Sequence, residues 1–223
     1  MNTDTSSITE QNLFFQDAED NLTPAEEVKH LHAFDFDGTL TRYDSLLLFI
    51  YFSCGLKRFL MCFLCHLHHL IMMKAGMMSN ESVKQMIFSY CFKGVTLETF
   101  NAQCRVFASA NKSILRPKGL AKLRQLQAEE ATKVLIVSAS VTNWVAPFFS
   151  DMPHVEVLGT TIEVRDGRLT GRFLSHNCYG DEKVRRILER YPDRTSYHLT
   201  AYGDSKGDRA MLNFANEGYY RVF

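Results

Sequence analysis

Two carboxylates lie two residues apart in the stretch HAFDFDGTLTRYD, which covers residues 32–44. Asp35 and Asp37 follow an apolar run, and Gly38 and Thr39 come directly after them. Aspartate is uncommon in strands, so the pair either caps a turn or forms part of a site. Alternation along an extended chain predicts both carboxylates on one side of the strand end. Gly38 permits a tight turn that leaves backbone amides available to bind an anion.

Two further apolar runs end in polar residues. The run VLIV leads into Ser138, and the run LTAY leads into Gly203 and Asp204. In an open parallel sheet, ligands bind outside the carboxyl ends of the strands. We therefore expect these residues to meet the pair Asp35 and Asp37 in one cleft.

The chemistry of such a cluster follows from its charge. Carboxylates gathered at one point repel each other unless a cation lies among them, and hard oxygen ligands favour Mg²⁺. One carboxylate could then attack a phosphorus centre, while a second protonates the leaving oxygen. A lysine and backbone amides could stabilise the charge on the transferring group.

Strands that alternate with helices predict an α/β fold with a mainly parallel sheet. The patterns predict strands over 31–36, 134–137 and 197–202, and a hairpin over 155–173 with its turn at Asp166–Gly167. They also predict helices over 79–90, 97–111 and 121–130, with two more after Gly180 and Asp208.

Four motifs in this order resemble the haloacid dehalogenase-like superfamily. They are DFDGT at 35–39, Ser138, Lys183 within GDEKV, and GDSKGD at 203–208. The spacing is similar to the phosphoserine-phosphatase-like branch, subfamily IB, and within it to bacterial phosphatidylglycerophosphatase C-type members. The resemblance implies a Rossmann-like core with helices on both sides of a parallel sheet and a helical cap inserted after the first motif. It also implies a magnesium-dependent phosphatase.

The resemblance implies a role for each catalytic position. Asp35 is the nucleophile that becomes an aspartyl phosphate, and it also contacts Mg²⁺. Asp37 is the general acid and then the base, and its carbonyl oxygen ligates the metal. Lys183 balances charge on the nucleophile and the phosphate. Asp204 ligates Mg²⁺ directly, and Asp208 supports the metal or its waters.

The same resemblance implies substrate contacts. Ser138 hydrogen-bonds the phosphoryl group, and Gly38, Thr39 and Ala139 lie beside it. Asp44 matches an acidic position that contacts substrate in this branch. The pair Ala139-Ser140 stands where phosphoserine phosphatases carry two glycines, and this departure argues against phosphoserine as the substrate.

The predicted organisation is a flexible acidic leader at 1–28, a core at 29–43 and 116–223, and a cap at 44–115. The leader holds seven of the 25 acidic residues and no lysine or arginine, so the remainder carries 25 basic and 18 acidic residues. This leader lacks the features of a secretory signal, and six cysteines without one favour reduced thiols in the cytoplasm. We expect no nucleic-acid partner, and the oligomeric state stays open.

The segment Leu46 to Met73 leaves two alternatives open. Of its 28 residues 21 are apolar, and Gly55 with the pair Lys57-Arg58 divides it into pieces too short to span a membrane. It is either the buried core of the cap or a surface that contacts the inner face of a membrane. The Cys62–His66 stretch, CFLCH, has the spacing of a haem attachment motif, but cysteines on an apolar helix are more often core residues.

Three functions follow from these expectations. The leading one is hydrolysis of a phospholipid monoester such as phosphatidylglycerophosphate. The second is hydrolysis of a soluble metabolite such as phosphoserine. The third is a catalytically silent relative that binds a membrane or a protein.

Overall fold

The computed structural model describes residues 28–223, so the predicted leader lies outside the described residues except at its last position. Five strands form the central sheet: β1 (His30–Phe34), β2 (Thr132–Val141), β3 (Val155–Thr160), β6 (His198–Gly203) and β7 (Glu217–Tyr220). Their order is β3-β2-β1-β6-β7, and all neighbours run parallel. A separate antiparallel hairpin contains β4 (Ile162–Arg165) and β5 (Arg168–Phe173). The predicted α/β class with a parallel sheet is confirmed.

Eight helices lie between and around these strands in the described part of the chain. They are α1 (Ser45–Cys65), α2 (Leu67–Lys74), α3 (Asn80–Phe92), α4 (Leu97–Ala110), α5 (Pro117–Gln127), α6 (Thr142–Val145), α7 (Asp181–Arg190) and α8 (Arg209–Phe214). Side chains cap the N-termini of α3 and α4, where Ser79 accepts a hydrogen bond from the amide of Ser82 and Thr96 from that of Thr99.

The inner strands of the sheet are covered on both faces, which explains the uninterrupted apolar run Val134–Val137 of β2. In β1, Leu31 and Ala33 face the layer that holds Ile187 of α7, while Phe34 faces the layer that holds Leu123 of α5. Asp35 continues the alternation of Leu31 and Ala33 and is therefore directed toward the α7 side.

Helices α1 to α4 lie between β1 and β2 and form the region predicted as the cap. The chain crosses between the sheet and this region twice, in two segments that run antiparallel to each other. Thr41 pairs with Leu115, and the amide of Arg116 donates to the carbonyl of Leu40 at 2.7 Å. These crossings lie next to the boundaries predicted at 43 and 116.

The β4–β5 hairpin is hydrogen-bonded to the loop between α3 and α4. The amide of Gly94 donates to Leu169 O at 2.8 Å, the amide of Leu169 to Val95 O at 2.8 Å, and the amide of Leu97 to Gly167 O at 2.9 Å. The predicted division assigned this hairpin to the core. Its hydrogen bonds connect it to the cap region as well.

The long apolar segment has a buried side and an exposed side. Gly55 interrupts the helical geometry of α1 with φ +72°, as the sequence predicted. Phe49, Ile50 and Cys62 are buried in the same cluster as α3 and α4, whereas a second set of apolar side chains is exposed: Leu56, Leu60, Met61, Leu64, Leu67 and Ile71. By length and composition α1 is the one helix of residues 28–223 that could cross a membrane, with 22% of its apolar window buried.

The cysteines of the CFLCH stretch differ in burial. Cys62 is buried, and its sulfur lies 3.8 Å from that of Cys91, while Cys65 is exposed. All six cysteines are free thiols. Cys62 thus packs as a core residue.

Phe49 is the centre of the cap's packing. Its ring is fully buried and lies 5.0–5.6 Å from the rings of Phe92, Phe100, Phe107 and Trp144.

We expect Phe49→Ala to lower the free energy of unfolding by about 3–5 kcal/mol, because the loss of apolar burial and the cavity left behind both destabilise the protein. Urea unfolding measures this loss of stability. Tyr51→Ala is the control, because Tyr51 is half-exposed on the same helix. A loss no larger than the control's would contradict this packing role.

Candidate active site

Strand register aligns the carboxyl ends of β1 and β6 with the middle of β2, which continues to Val141. Phe34 of β1 is opposite Ile136 of β2 and Tyr202 of β6. The next residues along these strands therefore lie side by side at the carboxyl edge of the sheet. Asp35 follows Phe34 there, and Asp204 follows at the second position after Tyr202.

Lys183 binds three groups at this edge. Its ammonium donates to Asp35 Oδ1 at 2.5 Å, to Asp208 Oδ1 at 2.6 Å and to the carbonyl of Val137 at 2.7 Å. The side chain is only 1% exposed. Helix α7 positions it, since Ile187 one turn later is buried against the sheet. A buried charge is tolerated only when it is fully paired, as it is here.

Burial and pairing shift the pKa values of these groups in different directions. Burial raises the pKa of Asp35 to about 7, although Lys183 opposes this shift. Burial also raises the pKa of Asp208, but the charge and hydrogen bond of Lys183 outweigh it, so the net shift is downward. For Lys183, burial acts to lower the pKa, and the two carboxylates raise it above its ordinary value.

Asp208 organises the loop that follows β6. Its Oδ2 accepts hydrogen bonds from the amide and hydroxyl of Ser205, at 2.9 and 2.7 Å, and from the amide of Asp204 at 3.2 Å. Gly203 is required beside it, because an added Cβ there would lie 2.4 Å from the Cβ of Asp208. Both Asp208 oxygens are thus occupied, so this residue holds Lys183 and the loop in place.

Three carboxylates could hold a cation. One oxygen each from Asp35, Asp204 and Asp208 lies within 4.8 Å of the others. Asp204 is partly exposed and accepts a hydrogen bond from the Thr39 hydroxyl at 3.3 Å. Gly38, at φ +87°, leaves room for Asp204, since a Cβ on Gly38 would lie 2.5 Å from its Oδ2. This set of oxygen donors fits Mg²⁺, with Asp35 and Asp204 as the carboxylates less committed to other bonds.

The side chain of Asp37 instead lies between the start of α1 and β2. Its Oδ1 accepts from the amide of Ser45 at 2.7 Å and its Oδ2 from the hydroxyl of Ser140 at 2.5 Å. The strand ends at Phe34, and the turn over Phe36–Leu40 breaks the alternation that placed both carboxylates on one side. Burial raises the pKa of Asp37, and the charge of Asp44 adds to this effect.

Two serines and a tryptophan that were not predicted as site residues support Asp37. The hydroxyls of Ser45 and Ser140 lie 3.1 Å apart, and Trp144 Nε1 donates to Ser45 Oγ at 3.1 Å. Ser140 had a signal in the sequence, because it lies two residues beyond Ser138 on the same strand. Ser45 had none apart from its position next to Asp44.

The predicted substrate contacts have partners within the protein. Ser138 is buried, and its hydroxyl accepts from the amide of Ser140 at 3.0 Å. The carbonyl of Ala139 accepts from Thr160 Oγ1 at 3.0 Å. Asp44 caps α1, with its Oδ1 accepting from the amides of Leu46 and Leu47 at 2.9 and 3.2 Å. Contact of these residues with a substrate stays a prediction.

A family model for haloacid dehalogenase-like hydrolases matches residues 33–213. The chain therefore belongs to this hydrolase family, as its motifs and their order predicted. The match contains both carboxylates of the first motif, Lys183 and the 203–208 loop.

Known proteins resemble the chain over most of its length. It is 36% identical over 203 residues to the protein CicA of Caulobacter vibrioides, which covers 86% of each chain. Its fold is similar to that of a protein of unknown function from Bordetella pertussis Tohama I, with a TM-score of 0.69, 19% identity and coverage of 84% and 87%. A phosphoserine phosphatase solved as a phospho-aspartyl intermediate analogue matches with a TM-score of 0.58, 18% identity and coverage of 86% and 85%.

Replacing Lys183 tests the electrostatic balance of the site. We expect Lys183→Met to destabilise the metal-free protein by about 3–5 kcal/mol at pH 8, because two buried carboxylates lose their cation. The pKa of Asp35 is raised to about 7, so this carboxyl is protonated at pH 4 and has no charge left for Lys183 to neutralise. The destabilisation should accordingly be smaller at pH 4 than at pH 8.

Urea unfolding with EDTA at both pH values measures this difference. Lys112→Met is the control, since Lys112 forms an exposed pair with Asp151 at 3.9 Å and such pairs contribute about 0–1 kcal/mol. A loss for Lys183→Met as small as the control's, or one that does not change with pH, would contradict this description of the site.

Proposed function

We propose that this hydrolase cleaves phosphomonoesters through an aspartyl phosphate formed on Asp35. The observation that carries the proposal is the pair of differently held carboxylates at one strand end. Asp35 is bound to the buried ammonium of Lys183, whereas Asp37 is held by Ser45 of α1 and Ser140 of β2. Two carboxyl groups in different environments are suited to different roles.

In the first half-reaction a carboxylate oxygen of Asp35 attacks phosphorus. A bond forms between that oxygen and phosphorus, and the bond from phosphorus to the leaving oxygen breaks. Asp37 donates its proton to the leaving oxygen, a role favoured by its raised pKa. In the second half-reaction Asp37 accepts a proton from water, and the water oxygen attacks phosphorus and releases phosphate and free Asp35.

Asp35 and Asp204 are the carboxylates that would hold Mg²⁺, with the carbonyl of Asp37 and Asp208 in supporting positions. The ion, when bound, supplies charge neutralisation for the phosphoryl oxygens. Lys183 neutralises Asp35 and Asp208 within the protein. Gly38, Thr39, Ser138 and Ala139 are the proposed contacts of the phosphoryl group.

A solved neighbour supports this chemistry. The phosphoserine phosphatase with a similar fold is described as a phospho-aspartyl intermediate analogue. That description concerns the neighbour, and its use for Asp35 is an inference from family membership.

The nucleophile provides the decisive test. We expect Asp35→Asn to reduce Mg²⁺-dependent hydrolysis of p-nitrophenyl phosphate by at least about 10³-fold, since the amide is a poor nucleophile. We expect Asp37→Asn to impair release of the intermediate, so that mass spectrometry detects one added phosphoryl group on the peptide containing Asp35.

Asp166→Asn is the matched control, because Asp166 is an exposed residue at the hairpin tip with φ +50°, which asparagine also tolerates. Turnover that survives Asp35→Asn would show that the proposed mechanism is wrong. Loss of turnover in Asp166→Asn as well would point to general damage to the protein.

For the substrate, we propose a phospholipid monoester such as phosphatidylglycerophosphate, reached through contact of the cap with a membrane. The exposed apolar side chains Leu56, Leu60, Met61, Leu64, Leu67 and Ile71 support this proposal. From Ser45 to Asn80 the chain has no acidic residue but carries Lys57, Arg58 and Lys74. An apolar surface with basic residues and no acidic ones is complementary to a bilayer of anionic lipid. The proposed location is the cytoplasm, at the inner face of the membrane.

Vesicle binding tests the membrane proposal. We expect the protein to sediment with phosphatidylglycerol vesicles, and the double variant Leu60→Ser/Leu64→Ser to bind at least about tenfold more weakly, because burying each leucine contributes about 1.5 kcal/mol. Leu174→Ser is the control, since Leu174 is 72% exposed but lies outside the cap helices. Failure to bind at low salt, or equal binding by the double variant, would refute membrane contact. Faster turnover of phosphoserine than of phosphatidylglycerophosphate would instead favour a soluble substrate.

A further inference from the structure

Two peptide groups determine how Asp204 is directed toward the candidate cation site. One joins Gly203 to Asp204, and the other joins Asp204 to Ser205. When both peptide planes are fixed, the backbone dihedral angles of Asp204 are fixed as well, because these angles are the only soft torsions between the planes. The direction of the carboxylate then depends on its side-chain torsions alone.

Asp208 holds the amide side of both peptide groups. Its Oδ2 accepts from the amide of Asp204 at 3.2 Å and from the amide of Ser205 at 2.9 Å. In a trans peptide the carbonyl points away from the amide, so the carbonyls of Gly203 and Asp204 need donors from another part of the chain.

Arg221 supplies both of these donors. Its backbone amide donates to Gly203 O at 2.9 Å, and its side-chain Nε donates to Asp204 O at 2.9 Å. One residue therefore binds the carbonyls of both peptide groups. Together with Asp208, it holds the two planes through four hydrogen bonds.

The chain around Arg221 keeps it in this position. Strand β7, which precedes it, pairs with β6 although all four of its own residues are exposed. Arg221 has φ +55°, an uncommon conformation for an arginine, and such outliers are concentrated at functional sites. Beyond it, the ring of Phe223 packs on the rings of Phe34 and Tyr202, with 6.1 and 5.5 Å between centroids.

Asp204 depends on its backbone more than the other two carboxylates of the cluster do. Asp35 and Asp208 are both held by the buried ammonium of Lys183. The carboxylate of Asp204 is partly exposed, and within residues 28–223 its one hydrogen bond comes from the Thr39 hydroxyl at 3.3 Å.

We propose that Arg221 is a positioning residue for the metal ligand Asp204. It acts through the backbone from which the Asp204 carboxylate extends. A ligand that is already held in its binding geometry loses less conformational freedom when the ion binds, so the affinity for the ion rises. This inference rests on the proposed function, because it takes Asp204 as a ligand of Mg²⁺.

Charge and positioning predict opposite effects when Arg221 is replaced. A guanidinium beside a cation site repels the ion, so the loss of its charge alone would strengthen metal binding. The loss of its hydrogen bond would weaken metal binding, since groups that orient metal ligands typically contribute about tenfold or more to the affinity. The direction of the change therefore distinguishes the two roles.

Metal binding without turnover provides the first test. We expect Arg221→Met to bind Mn²⁺ about tenfold more weakly than the wild type at pH 8, measured from the electron paramagnetic resonance signal of free Mn²⁺, with Mg²⁺ as competitor. In turnover of p-nitrophenyl phosphate, the half-saturating Mg²⁺ concentration should rise by a similar factor, while kcat at saturating Mg²⁺ changes less than about twofold. A merely structural role would lower the urea midpoint and leave both metal measurements unchanged, which would overturn the proposal.

Arg209→Met is the matched control. Arg209 directly follows Asp208 and is exposed, and its guanidinium has no hydrogen bond or ion pair within the described part of the chain. This variant removes the same charge beside the same loop, so we expect its Mn²⁺ affinity to equal or slightly exceed that of the wild type.

Unchanged or tighter Mn²⁺ binding by Arg221→Met, or an equal loss in Arg209→Met, would overturn the proposal. A wild-type protein that binds neither ion would refute the metal site and this inference with it. Turnover that survives Asp35→Asn would refute the proposed mechanism through a separate measurement, so the two failures are distinguishable.

Discussion

The ammonium of Lys183 connects three parts of the chain that are distant in sequence: the end of β1 at Asp35, the carbonyl of Val137 in β2 and the 203–208 loop through Asp208. Each carboxylate can be buried in its charged form because the lysine neutralises it. The lysine can be buried in its charged form because both carboxylates accept its hydrogen bonds. The position of α7 on the sheet, the register of β1 with β2 and β6, and the conformation of the loop after β6 all depend on this one charged group. The geometry of the site is therefore a consequence of satisfying a buried charge.

The two aspartates of the first motif belong to different parts of the molecule. Asp35 continues the alternation of β1 and joins the core, whereas Asp37 follows the turn and is held by Ser45, the first residue of the cap helix α1, and by Ser140 of the core. The residue proposed as the proton donor therefore bonds to both the cap and the sheet. Displacement of α1 would remove the Ser45 amide from Asp37 and change its protonation. The proposed acid–base chemistry thus depends on how the cap is seated.

Sequence patterns predicted the parts of this structure that local rules determine. Buried β-branched runs predicted the parallel strands, and motif order predicted family membership. The patterns assigned residues 155–160 to the hairpin, although β3 joins the central sheet, because alternation does not say which strand pairs with which. They also missed β7, whose exposed Glu217–Tyr220 stretch has no buried run.

The hydrogen bonds between the β4–β5 hairpin and the α3–α4 loop bear on how the enzyme would admit a substrate. A cap that opens while keeping these bonds must carry the hairpin with it, so the moving unit is larger than the inserted helices. Its pivots would then include the hairpin base, where the amide of Leu174 donates to Thr161 O at 2.9 Å, as well as the crossings at Thr41 and Leu115. Hinges at two separate places along the chain restrict the opening to rotation about the line that joins them. The cap and the hairpin would therefore rotate together about this axis as one rigid unit, and rotation about other axes would be restricted.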